Sequence, residues 1–152
     1  MLRDKLSEAL KEAMKARDRC RIATIRLILA AIKDREIAGR TSGDGESVGD
    51  DDVLQILAKM VRQRRESIEA YEQAGRIELA EQERAEIGIV ESFMPQQLSE
   101  AEIGDICKAV VDKTGASGLK DIGRVMGALK ARYAGQMDFG KASATVKQLL
   151  AG

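Results

Sequence analysis

The side chains that could move a proton, hold a metal or attack a carbonyl are few in this chain: it has no histidine and two cysteines, Cys20 and Cys107. Without histidine, Ser-His and Cys-His nucleophilic sites, His-ligated zinc and imidazole acid-base catalysis are excluded. Carboxylates are plentiful, with Glu66, Glu69, Glu72, Glu78, Glu81, Glu83 and Glu86 in one stretch, and that distribution reads as the solvated face of helices. Asp50, Asp51 and Asp52 are consecutive; neighbours on a helix point in different directions, so the triplet suits the positive end of a helix dipole better than a divalent cation. Cys107, between Ile106 and Val110, reads as a small core residue. Each cysteine is placed on the apolar or flanking side of a helix. Neither a Walker phosphate loop nor a dinucleotide fingerprint occurs, since GRVMGA has the wrong spacing and no strand before it. The sequence therefore predicts no catalytic residue, no metal ligand and no cofactor.

What remains is positive charge set among small residues. Basic and acidic side chains balance at 25 each, so attraction to nucleic acid must come from local patches. From Lys15 to Arg40 there are eight basic residues against three acidic ones, and from Gly118 onward six against two. The stretch DIGRVMGALKARYAGQMD, residues 121–138, carries two glycines inside a helical pattern, each costing about 1 kcal/mol relative to alanine. At about 100° per residue, Ile122, Val125, Met126, Leu129 and Tyr133 form the core stripe. Lys120, Gly123, Arg124, Gly127, Ala128 and Ala131 lie opposite, with Lys130 and Arg132 on the flanks. Two readings stay open: a second helix packs closely over Gly123 and Gly127, or a nucleic-acid backbone or partner surface lies there, with Lys120, Arg124, Lys130 and Arg132 meeting phosphates. With 3% aromatic residues, base stacking is not the expected mode; shape and phosphate are.

The elements that must position these groups are helices. Aromatic and β-branched alternation is missing throughout, and the core must come from Ile, Leu, Val, Met and Ala. The expected fold is all-α: an N-terminal helical bundle or hairpin array over residues 1–95, then a small three-helix tail over 96–152. Helices are expected over about 2–16, 21–37, 52–73, 79–94, 99–113, 118–134 and 139–150, with a mobile loop at about 39–51. The boundary is set by FMPQQLSEAEI, where Pro95 disfavours helix before it and Ser99 with Glu102 makes a capping box, stapled by Leu98 and Ile103. The charged N-terminal stretch offers no signal peptide or membrane anchor, and two distant cysteines fit a reducing compartment. A cytoplasmic location without membrane contact is the expectation.

TIRLILAAIKDREI, FMPQQLSEAEI and above all DIGRVMGALKARYAGQMDFGKASATVKQLL resemble the GatB/YqeY family, small standalone proteins similar to the tail of the B subunit of tRNA-dependent amidotransferases. The resemblance covers essentially the whole chain and implies a helical domain followed by a three-helix tail. It also implies a tail that helps hold tRNA at its elbow, while carbon-nitrogen ligation with glutamine as amide donor belongs to other domains and subunits. The motif falls on Gly123, Arg124, Met126, Gly127, Lys130, Gly135, Asp138, Val146, Lys147 and Leu150. Of these, Arg124, Lys130 and Lys147 are the phosphate-contact candidates, joined by Lys120 and Arg132; Arg17, Arg19, Arg21 and Arg26 form a second candidate patch. The leading expectation is a non-catalytic protein that binds tRNA or a tRNA-enzyme complex. The alternatives are an accessory component of a glutamine-dependent ligase, active only with partner subunits, and a module whose basic face meets an acidic protein.

Overall fold

The computed structural model describes residues 1–41 and 48–151. Among them the secondary structure is entirely helical: α1 (Leu2–Ala16), α2 (Arg19–Thr41), α3 (Asp50–Gln73), α4 (Ile77–Glu91), α5 (Glu100–Thr114), α6 (Ile122–Tyr133) and α7 (Phe139–Ala151), with a short 3-10 turn at Leu119–Asp121. The chain divides into two compact units, Met1–Pro95 and Gln96–Gly152.

In the first unit the helix ends follow from local chemistry. At the α1–α2 corner the Arg17 N–H donates to the Met14 carbonyl and the Asp18 N–H to the Ala13 carbonyl, the double closure of a Schellman motif. The left-handed position there is held by Arg17, at φ 56°, where glycine is usual. The Asp18 carboxylate then accepts the Arg21 N–H at 3.1 Å and caps α2. Gly75, at φ 72°, closes α3 in the same way, with the Arg76 N–H reaching the Tyr71 carbonyl at 2.8 Å. At the start of α3 the acidic triplet is put to use: Asp52 accepts the Gly49 N–H at 3.2 Å and Arg35 at 3.0 Å, and Asp50 accepts the Leu2 N–H at 3.1 Å.

Ile25, Ile28 and Ile32 of α2 are fully buried with Leu6, Val53, Leu57 and Val90. The sequence of α2 sets Ile22, Ile25, Leu29, Ile32 and Glu36 in one row with Ile28 beside it; Ile25 and Ile32 are buried, but Ile22 and Leu29 are half-buried, because the helix turns its Ile28 line to the core centre. Thr24, buried on the same face, gives its hydroxyl to the Cys20 carbonyl at 2.8 Å. α3 and α4 form an antiparallel hairpin, as their ion pairs show: Arg64 meets Glu86 at 3.3 Å, Arg65 meets Glu91 at 3.2 Å, and Glu72 meets Arg84.

Three boundaries differ from expectation. α2 continues to Thr41 and α3 begins at Asp50, so the ends of the expected 39–51 loop are helical, while 42–47 lie outside the described residues. α4 stops at Glu91 rather than near Pro95, because the Phe93 and Met94 N–H groups reach back three residues and tighten the last turn. The expected helix over 118–134 is divided into the 3-10 turn and α6.

The second unit packs α5, α6 and α7 around Cys107, Val125, Leu129, Met137, Ala142 and Val146. Ser99 caps α5, its hydroxyl accepting the Glu102 N–H at 3.2 Å, and Leu98 and Ile103 pack on this core as the staple. Gly115 and Gly135, at φ 67° and 76°, turn the chain after α5 and α6. Asp138 caps α7 by accepting the Gly140 N–H at 2.8 Å. The entering strand of chain is tied to the α6–α7 corner, with the Leu98 N–H donating to the Gln136 carbonyl and the Gln97 amide to the Gly135 carbonyl. Cys20, expected on an apolar or flanking side, stands exposed, whereas Cys107 is buried and its thiol is pushed up by that burial.

Candidate nucleic-acid interface

α6 inserts Val125 and Leu129 fully into the core, with Ile122, Met126 and Tyr133 half-buried beside them. The opposite surface carries Gly123, Arg124, Gly127, Ala128 and Ala131, all exposed. A Cβ added at either glycine would meet nothing within 4 Å. Within the second unit, packing of another helix over the glycines is thus removed as their explanation, and the small face is bare there.

Arg124 lies near the middle of that face and pairs with Asp121 one turn earlier, Nη2 to Oδ1 at 3.3 Å. Asp121 also accepts the Ser117 N–H at 3.0 Å. That backbone hydrogen bond, followed by the charges of Arg124 and Lys120, holds its carboxyl below the usual aspartate range. Lys120 sits in the 3-10 turn rather than on α6, so a helical angle does not fix its direction, although it borders the N-terminal end of the face. Lys130 is exposed at one edge, about 9 Å along the axis from Arg124. Arg132, at the other edge, leans over the Tyr133 ring with its guanidinium carbon 5.7 Å from the centroid. Lys147 belongs to α7, exposed beside the buried Val146. The structure therefore brings Gly123, Arg124, Gly127 and Lys130 onto one helix surface, with Arg132 at its far edge, whereas Lys120 and Lys147 belong to other elements, the 3-10 turn and α7.

The second patch divides. Arg17 occupies the left-handed corner. Arg21 is half-buried and lies over the Phe93 ring at 5.4 Å, where it joins the ends of α2 and α4. Arg19 and Arg26, seven residues apart, remain exposed on one line of α2, and Lys33 continues that line. Lys33 was not among the expected site residues; its spacing of seven from Arg26 is the signal that would have found it.

Family comparison fits this architecture. A family model described as Yqey-like protein matches residues 3–150. The chain belongs to the Yqey-like protein family. It is 36% identical over 100 residues to "Altered inheritance of mitochondria protein 41, mitochondrial" of Lachancea thermotolerans, covering 64% of this chain and 51% of that one. The Eremothecium gossypii protein of the same name is 38% identical over 90 residues, covering 59% of this chain and 46% of its own. An uncharacterized protein of Schizosaccharomyces pombe is 31% identical over 94 residues, 62% of this chain and 72% of that one. This Yqey-like chain spans about half the length of the first two relatives. Their names correct the cytoplasmic expectation: these relatives are mitochondrial proteins. Two distant cysteines fit a reducing compartment, but they do not tell one reducing compartment from another. No helix among the described residues is long and apolar enough to cross a membrane.

Proposed function

We propose that this Yqey-like protein is a non-catalytic, tRNA-associated protein whose α6 surface meets the sugar-phosphate backbone. The observation that carries this reading is the bare floor of Gly123 and Gly127, bordered by Arg124 and Lys130. Glycine in a helix lowers stability, and here no neighbour among the described residues of the second unit needs the space. A backbone lying flat on the helix does need it, and the cations at its edges supply phosphate contacts.

The test is titration of labelled bulk tRNA, with a DNA duplex as control, at two salt concentrations. Wild-type protein is expected to bind tRNA more tightly than DNA and to lose affinity as salt rises. Arg124→Ala combined with Lys130→Ala is expected to weaken binding about tenfold and flatten the salt slope by between one and two. Gly127→Ala separates close approach from mere tolerance: thermal unfolding should show a gain of about 1 kcal/mol, while tRNA affinity falls. A stabilised Gly127→Ala protein with undiminished tRNA affinity, or a wild type that does not bind tRNA at low salt, overturns the reading.

A further inference from the structure

α2 is apolar on two opposite sides. One side is the core face already described; the other bears Ala23, Leu27, Ala30 and Ile37, all exposed, with Leu27 at 51% and Ile37 at 50%. These positions, with Asp34 between the last two, alternate by four and three residues, which is the spacing of a coiled-coil seam. Lone exposed aliphatics are ordinary on a protein surface, but four on one line over about 21 Å of helix, interrupted only by Asp34, form a contact surface.

The seam has a charged border. Arg19, Arg26 and Lys33 are spaced by seven residues and run along one side of it, exposed and without an ion pair among the described residues. Asp34 is the single acid on this surface. We propose that the outer face of α2 docks an amphipathic helix of a partner protein, one with an aliphatic seam and acidic residues along the flank that meets Arg19, Arg26 and Lys33. A second copy of this chain fits less well. Laid antiparallel, it would set the two basic borders against each other, and laid parallel it would face each border with the flank of Ala31, which offers no charge. Nucleic acid gains nothing from the aliphatic seam. The inference is independent of the α6 reading, since it uses other residues and another class of partner.

The probe is a synthetic helix of three heptads with Leu along its seam and Glu on its flanks, labelled with a fluorophore and titrated by anisotropy against the full chain. A peptide with Lys in place of Glu is the control. Saturable, salt-sensitive binding of the Glu peptide and not the Lys peptide is expected. Leu27→Asp should weaken it about tenfold or more. Arg26→Glu with Lys33→Glu should abolish it and transfer preference to the Lys peptide. Both changes are on exposed side chains, and unchanged circular dichroism confirms that the variants fold. Lack of saturable Glu-peptide binding at low salt, or binding that both variants leave unaltered, overturns the proposal. Concentration-dependent dimerisation of the wild type that Leu27→Asp removes would assign the face to a second copy. Loss of tRNA affinity in the Leu27→Asp protein would assign it to RNA; either result also overturns the proposal.

Discussion

Asp121 works in two directions. Its carboxylate fixes the turn before α6 through the Ser117 N–H and neutralises part of Arg124. Asp121→Ala is therefore expected to lower stability in thermal unfolding while raising tRNA affinity, because Arg124 is released to phosphate. The same group gives a pH dependence. Its folded pKa is depressed, so its stabilisation is complete above the ordinary aspartate value of about 3.9 and is lost as pH falls through the lower folded one. Acid titration of the wild type against Asp121→Ala should show their stabilities converging there. Arg17 is the other informative single residue. A non-glycine left-handed conformation costs about 1–2 kcal/mol, and replacing it by glycine adds about 0.4–1 kcal/mol of unfolded-state entropy. Arg17→Gly is thus expected to stabilise the chain by a net 0.5 kcal/mol or about that much, read by urea denaturation. Its charge, beside Arg19, Arg21 and Arg26, is what made it a contact candidate in the sequence; the left-handed conformation was invisible there.

Among the elements, the α3–α4 hairpin concentrates its electrostatics on Arg64, which faces two carboxylates: Glu86 at 3.3 Å and Glu83 at 4.0 Å. Burial first, and repulsion from Glu86 second, push the Glu83 carboxyl above its ordinary value despite Arg64. A raised carboxyl pKa means that the folded state binds the proton more readily, so stability falls as pH rises from the unfolded glutamate value through the folded one. Glu83→Gln is expected to be neutral or stabilising by up to about 1 kcal/mol at pH 7, with that difference fading near pH 4. Glu86→Gln, which removes the nearer partner, should destabilise instead. Helix existence and type were legible from spacing: Leu6 and Ala13 on α1, Ile25 and Ile32 on α2, Val125 and Leu129 on α6 all sit where periodicity places them. Chemistry at the ends was legible where a side chain does the capping, as with Asp18, Ser99 and Asp138. It was not legible where backbone groups tighten a turn, which is why α4 ends early and the 3-10 turn at Leu119–Asp121 was read as helix. The α6 face was half legible: its residues could be named by angle, but whether another helix covered the glycines depends on packing that no local pattern records. The outer seam of α2 was not legible because a helix apolar on two opposite sides shows no single polar face to set against the core stripe.

On the scale of the whole molecule, two compact units each enclose a core of their own. A boundary at Pro95 between two folding domains is the reading these cores support. Residues 96–152 expressed alone are expected to give a helical spectrum with cooperative thermal unfolding; a non-cooperative, featureless chain would sink that division. The two proposed contacts then belong to different units, α6 in the second and α2 in the first. Removing residues 1–95 should accordingly spare tRNA binding and eliminate capture of the acidic helix.

The tie between the chain entering the second unit and the corner after α6 reaches further than local order. Gln97 and Gly135 are 38 positions apart in sequence, and joining them closes a loop that contains α5 and α6. Closing such a loop costs entropy that grows only slowly with its length, but it must be met before the contacts it brings can repay it. The entry to the unit and its α6–α7 corner are therefore expected to meet late, and its refolding kinetics should follow a single exponential set by that encounter rather than by the nanosecond growth of any one helix.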